Sequence, residues 1–437
     1  MKKRIASMLT ASALLVGCLT GCSTGKDSTN TADKTTEQTA FTPKLDTEMT
    51  ETLEIAGFMG NFEALDEVIN EFNEFYPNVT FTYEQNTGYM MPQYLAANPN
   101  IDLFMTNDRN IRESDMSDYF VQDSCVDLSA ENMNTDALNQ DAVAYCTVDG
   151  KLYRLPIAMQ TYGMVVNKTL LENEGVDVPT NYQEFLDALK TLKDKGYTPL
   201  QGSQKHLYGD LVVNMAMDTI AQDESLQKAL AAKDASSVEK MQTIFERLET
   251  IMTEGYTDYE LNCTYPSDNY DGSIMAFFEG DMPFYVCSAE CVSGMKKRES
   301  KSEAFTANPF DYQFMYVPMG DDGVYAYTEP WYGFSVNKNS EQKDLAVEFL
   351  RFMSTKLDIM ASIKGLPSVV ADGEVDAKYT EIINPENAQE SFCNDGSVAE
   401  NMRMIFLDVA KKFGAGEYQN AQQAAEAFAK QETPTDH

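Results

Sequence analysis

The sequence predicts an α/β protein made of two compact units, and three observations lead there. The chain has 437 residues, more than one core of ordinary size takes up. Short runs of period two take turns with runs of helical period, the pattern of a mainly parallel sheet covered by helices on both faces. Midway, Lys151-Leu152-Tyr153-Arg154-Leu155, closed by Pro156, and Gly163-Met164-Val165-Val166-Asn167 read as two strands crossing from one sheet into another. That puts a boundary near 158.

In chain order, Thr52-Leu53-Glu54-Ile55-Ala56 alternates and stops at Gly57, after which Phe62, Leu65, Val68, Ile69, Phe72 and Phe75 recur at helical spacing up to Pro77. Val79 to Tyr83 alternates again, Met90 to Ala97 reads as a helix, and Ile101 to Met105 as a third strand. Past the crossing, Thr180-Asn181-Tyr182-Gln183-Glu184 carries capping-box chemistry ahead of Phe185, Leu186, Leu189 and Leu192, and Gly196 stops that helix. Residues 212–253 are mostly helical and 274–297 mixed, Phe314 to Val317 and Tyr332 to Val336 read as strands, and Asp344 to Ser354 as an amphipathic helix. Sheets of this kind bind ligands beyond the carboxyl ends of their strands. The loops starting at Gly57 and Asn107 are therefore site candidates.

Composition removes several functions. With 33 basic and 69 acidic residues the net charge is −36, the wrong sign for neutralising phosphates, so no nucleic-acid partner is expected. His206 and His437 are the only histidines, which excludes His-rich metal sites and mechanisms that need two internal imidazoles. Neither a metal nor a cofactor is expected. Cys125, Cys146, Cys263, Cys287, Cys291 and Cys393 include no C-x-x-C pair, against a zinc site; they read as small buried residues or as disulfide partners. Cys287 and Cys291, four apart, are expected on one helix face.

Met1-Lys2-Lys3-Arg4 is a basic start followed by an apolar run from Ile5 to Leu19, a secretory signal rather than a spanning helix. The run ends in Leu19-Thr20-Gly21-Cys22, which resembles the lipobox of bacterial lipoproteins; Leu15-Val16-Gly17-Cys18 fits the same pattern with a shorter apolar run. Residues 1–21 are thus expected to be a lipoprotein signal peptide, and 22–50 a lipidated Cys22 with a flexible tether too poor in apolar residues to fold. Its reach would be roughly 30 Å. The lipid, not charge, would hold the body on the extracytoplasmic face of the cell membrane.

Val148-Asp149-Gly150-Lys151-Leu152-Tyr153-Arg154-Leu155-Pro156, followed by Tyr162-Gly163-Met164-Val165-Val166-Asn167-Lys168, resembles a segment of the family 1, maltose-binding-like extracellular solute-binding proteins of ABC importers. Gly175, Pro179-Thr180-Asn181 and Glu184-Phe185 continue the likeness, with Tyr182 where the family usually has Trp. Ala276 to Phe284, Phe334-Ser335-Val336-Asn337-Lys338 and Leu366-Pro367 resemble further family stretches in the same order. The resemblance implies a two-lobe, type II periplasmic-binding-protein-like fold, each lobe a mixed sheet flanked by helices. Lobe one would be 50–158 plus 334–378, and lobe two 159–333 plus 379–437. It also implies a carbohydrate ligand, an oligosaccharide in size, held between the lobes by hinge closure and delivered to the transmembrane permease subunits of an ABC transporter. The protein would be a monomer and not an enzyme.

Sugar recognition needs aromatic faces for the C–H side of the ring and planar polar groups for paired hydroxyls. Trp331, the one tryptophan, sits in Glu329-Pro330-Trp331-Tyr332, and Trp331 and Glu329 are candidates there; packing in the core is the alternative for the ring. Tyr162 at the first crossing and Tyr285 after Met282-Pro283-Phe284 are further aromatic candidates. Asn107-Asp108-Arg109 resembles the Asp-Arg pair of maltose-binding relatives, able to divide donors and acceptors between carboxylate and guanidinium; a helix N-cap is the other reading of Asp108. Gln160, His206, Phe58 and Asn61 complete the set, the last two on loop position alone.

A glycosidase using two carboxylates is the enzymatic rival, since it needs no histidine. Gly21-Cys22-Ser23-Thr24-Gly25 matches G-x-S-x-G only formally, having neither strand before it nor helix after. A glycan sensor, or the same fold carrying another solute, keeps the architecture and changes the role. Met90-Met91-Pro92 stands where relatives are usually polar, which leaves the cargo open.

Overall fold

Alternation makes Thr52–Gly57 a strand, β1, and its two faces are buried in different places: Leu53 and Ile55 in one cluster, Ala56 in another with Met91, Leu95 and Phe104. A strand covered on both sides belongs to the interior of a sheet. In the computed structural model, which describes residues 40–57, 63–85, 91–106, 122–203, 206–265, 270–357, 369–370 and 391–431, β2 (Thr80–Gln85) and β3 (Leu103–Thr106) flank β1, both parallel to it. The helix Glu63–Phe72 turns Leu65, Val68 and Phe72 onto the β1 core.

A two-residue hairpin, β4 (Thr147–Val148) and β5 (Lys151–Leu152), turns on Asp149 and Gly150 with φ of 51° and 76°. Both are left-handed, as the tight type I′ turn demands and an Asp-Gly pair supplies. The strand β6 follows, Leu155–Asn167, thirteen residues buried from end to end. This corrects the reading of two strands broken at Pro156. Pro156 lies near the start of the strand, beside a register shift in its pairing with the next crossing strand, where a missing N–H costs no ladder bond. Gln160 and Thr161 look like a polar break, yet Thr161 Oγ1 donates to the Tyr327 carbonyl at 2.7 Å and Thr161 N to Gln160 Oε1 at 3.2 Å.

The remaining strands are β7 (Leu200–Gln201), β8 (Phe284–Ser288), β9 (Tyr312–Met315), β10 (Ala326–Val336) and β11 (Ser391–Cys393). They form a mixed sheet in the order β2-β1-β3-β10-β6-β8-β7, with β11 on β10 and β9 on β6. β10 reaches six residues further back than the predicted Tyr332, because Ala326 to Trp331 is the other half of the crossing. It runs antiparallel to β6 from Thr328↔Thr161 to Phe334↔Leu155.

The two long strands change cores along their length. Leu155, Ile157, Ala158 and Met159 of β6, with Tyr332, Phe334 and Val336 of β10, belong to the core around β1 and β3. Tyr162, Met164 and Val166, with Tyr327, belong to a second core, which the helices Glu400–Gly414 and Ala421–Lys430 complete through Phe406, Val409, Phe413 and Phe428. Gly163 lies so close to the Met315 carbonyl that a Cβ there would strike it.

Two expectations change. Cys287 ends in β8 and Cys291 opens the helix Cys291–Glu299, so the pair does not share a helix; both are buried thiols, as are Cys125, Cys146 and Cys393, while Cys263 is an exposed thiol. Within the polar stretch expected to pack on nothing through residue 50, residues 40–50 pack on the first core. Phe41 meets Phe75 and Phe352 edge-on at 5.2 and 5.1 Å. Lys44 N and the Tyr76 hydroxyl both donate to Glu348 Oε1 at 2.7 Å, and Glu348 pairs with Arg351. Three apolar residues, Phe41, Leu45 and Met49, suffice to dock this segment on the first core. Spaced four apart among polar neighbours, they hardly change the composition.

Candidate functional site

The strands of the first core end where the crossing begins. β3 closes at Thr106, opposite Gly333 of β10, and β1 closes at Gly57. Just before Gly333 the β10–β6 register slips: Pro330 faces Met159 and Tyr332 faces Ala158, which leaves Trp331 as the extra residue of a β-bulge. A bulge re-aims its side chain. Trp331 is accordingly the one residue of β10 that is not buried; its ring meets Tyr332 edge-on at 5.1 Å and 72° and rests on the first core. Tyr83, on the edge strand β2, is the exposed large apolar residue among those described.

Beneath the bulge lies a charged network. Glu329, 3% exposed, faces Gln160 across the ladder and pairs with Arg403 from the helix Glu400–Gly414. Arg403 Nη1 donates to the Tyr162 hydroxyl at 2.6 Å, and its guanidinium lies 5.8 Å from that ring's centroid. The Tyr327 hydroxyl donates to Glu329 Oε2 and accepts from Asn394 Nδ2 at 3.3 Å. Burial pushes the Arg403 guanidinium down to about 9, still a cation at neutral pH, and burial followed by the Glu329 charge holds the Tyr327 phenol well above its usual value. Every charge here has a partner, as a dry crossing requires.

On the second core's side, β8 runs antiparallel to β6 with Ser288 opposite Tyr162, and Ala289 N donates to the Thr161 carbonyl at 3.0 Å. The carboxyl end of β8 therefore points back to the crossing. Tyr270 brings its hydroxyl 3.4 Å from Ser288 Oγ and its ring 5.2 Å from that of His206. Strand ends of both cores, a half-exposed indole and these polar groups thus converge on one seam.

The family model for bacterial extracellular solute-binding proteins matches residues 57–356, more than half of the chain. The chain belongs to that family. No curated protein sequence matches it. Among solved structures, the GacH receptor of Streptomyces glaucescens, studied unliganded and with acarbose, is 16% identical, with 87% of this chain and 97% of GacH covered at a TM-score of 0.66. RafE in complex with raffinose is 15% identical, covering 87% and 98% at 0.63. A sugar transporter from Bacillus licheniformis in complex with stachyose is 17% identical, covering 87% and 98% at 0.62. These likenesses establish the fold, the two-lobe α/β architecture of solute-binding proteins.

In this solute-binding protein Gln160, Tyr162, Glu329 and Trp331 come together at the crossing, but their surroundings differ. Trp331 is half-buried, whereas Glu329 and Tyr162 are buried and engaged with Arg403. Tyr285 is fully buried beside Phe277, its hydroxyl 2.8 Å from Ser273 Oγ. His206 lies on the second core's side of the seam. Phe58, Asn61, Asn107, Asp108, Arg109 and Cys22 lie outside the described residues. Sequence reasoning passed over Arg403, although a basic residue between Met402 and Phe406 on an apolar helix stripe was a signal. Asp210 had a similar one, a lone carboxylate within Leu207-Tyr208-Gly209-Asp210-Leu211-Val212.

Proposed function

We propose that this protein is the lipid-anchored, extracytoplasmic binding component of an ABC importer. It captures a carbohydrate, an oligosaccharide in size, in the cleft between the lobes formed by 50–158 plus 334–378 and 159–333 plus 379–437. Closure about the crossing strands retains the ligand for delivery to the transmembrane permease subunits, without catalysis. The observation that carries the reading is the bulge that turns Trp331 out of an otherwise buried crossing strand at the seam of two cores. An indole face there suits the C–H side of a pyranose. Solved relatives of the same fold that hold raffinose and stachyose support carbohydrate as the class.

The test is thermal unfolding of the purified protein against mono- and oligosaccharides, amino acids, peptides and polyamines, with analysis of any bound product. Ligand at 100 times its Kd should add about 2.7 kcal/mol. A saccharide that stabilises the protein and is recovered intact supports the reading. Cleavage of the saccharide, or stabilisation by non-sugars alone, overturns it. The anchor is tested separately: Cys22→Ala should abolish partition into detergent and membranes, and unchanged partition would remove Cys22 from that role.

A further inference from the structure

Tyr83 sits on the edge strand β2 in register with Ile55 of β1, so the two side chains share the face of the sheet that carries the first core. Two residues earlier on that face, Phe81 is half-buried and packs edge-on against Phe72 at 5.9 Å. Tyr83 lies one step beyond that core and is exposed. Its ring does not stay over its own partner. It leans two residues further, onto Gly57, the last residue of β1, so closely that a Cβ there would strike the phenol. The φ of Gly57 is not left-handed, so the backbone does not call for glycine; what Gly57 supplies is the missing methyl. The ring is thereby seated at the carboxyl end of β1, the end of the sheet at which ligands bind.

Trp331, bulged out of β10 and resting on the first core, is the other aromatic group that borders this core without being buried at the strand ends. In the order β2-β1-β3-β10 the two strands are three spacings apart, about 14 Å. A disaccharide is too short to lie on both rings, whereas a chain of three or four sugars reaches from one to the other. A phenol suits the outer place, with an apolar face for the C–H side of a pyranose and a hydroxyl that stays wet. A ring already seated on its glycine loses little freedom when a ligand covers it. We propose that Tyr83 is a second stacking platform, which makes the protein prefer oligosaccharides longer than a disaccharide. The claim rests on the carbohydrate-capture reading and deepens it from class to length.

The experiment is calorimetry on wild-type protein, Tyr83→Ala and Tyr83→Phe with three length series: sucrose, raffinose and stachyose; maltose to maltotetraose; xylobiose to xylotetraose. The expected result is a wild-type affinity for the tetrasaccharide of at least one series roughly tenfold or more above that for its disaccharide. Tyr83→Ala should cut that ratio roughly fivefold, and Tyr83→Phe, which keeps the ring, should retain most of it. If Tyr83→Ala does not fold, Gly57→Ala, whose methyl displaces the ring, makes the same comparison. Saccharides bound by wild type with no gain in length, a gain that survives Tyr83→Ala, or an equal loss at every length overturns the proposal and leaves the carbohydrate reading standing. A loss in Tyr83→Phe as large as in Tyr83→Ala overturns the stacking role. No binding by any member of the three series overturns the proposal, and the melting panel then decides the carbohydrate reading on its own.

Discussion

Replacing Arg403 by Met removes the cation from the dry network at the crossing while keeping most of the side chain's volume. Glu329, 3% exposed, would lose its cationic partner while keeping the Tyr327 hydroxyl, and the Tyr162 hydroxyl would lose its 2.6 Å donor. Breaking a buried pair from one side costs about 3–5 kcal/mol. For a body of roughly 390 residues the unfolding entropy is about 0.8 kcal/mol per degree, so the melting temperature should fall by about 4–6 °C. Glu329→Gln alone strands Arg403 and should cost a similar amount. The double variant leaves no buried charge, so its cost should fall short of the sum of the singles by at least about 2 kcal/mol. Differential scanning calorimetry of the four proteins measures this. A double variant additive within about 0.5 kcal/mol would refute the assignment of Arg403 and Glu329 as partners.

Three further outcomes are expected. Trp331→Ala should weaken binding of a stabilising saccharide by about 2 kcal/mol, roughly thirtyfold, measured at a temperature below the melts of both proteins because the ring also packs on the first core; an unchanged Kd removes the indole from the site. Asp210, faced by His206, Tyr270 and Glu290, keeps a proton in the native chain that the unfolded chain loses at about pH 4. Its contribution is whole below that pH and lost as pH rises through the raised native value, so Asp210→Asn should melt progressively higher than wild type as pH rises above about 4, and parallel curves would contradict this. Glu348→Ala removes the acceptor shared by Lys44 N and Tyr76 and leaves Arg351 buried. The cost should be about 3–5 kcal/mol, with residues 40–50 becoming sensitive to limited proteolysis; resistance of that segment would show that Glu348 does not hold it.

Local periodicity revealed β1, β3 and the helices from Glu63 to Phe72 and Tyr182 to Asp194, because each buries one simple stripe. It concealed the length of β6 and β10. Strands that pass through two cores are buried on all sides, so alternation vanishes, and Pro156, Gln160 and Thr161 imitate an ending. At the site, Trp331 stood out as a singular residue near a crossing, but its bulge depends on the pairing of residues about 170 apart in sequence, which no local pattern carries. Arg403 reaches the seam only through the tertiary fold. Tyr285 shows the opposite failure, a suggestive local setting whose ring the fold encloses completely.

The bulge at Trp331 has a mechanical meaning. The sheet is continuous from one core to the other, so any rotation between them must twist β6 and β10 like a two-stranded torsion spring, and the spring is softest where the ladder slips. If the proposed closure turns about these strands, the indole would stand close to the pivot, where a rotation displaces atoms least. A contact on the pivot is made alike in open and shut positions, and equal affinity for two states shifts neither. Trp331 would supply grip without bias. The leverage that favours the shut position has to come from groups with a longer arm, out along the facing walls.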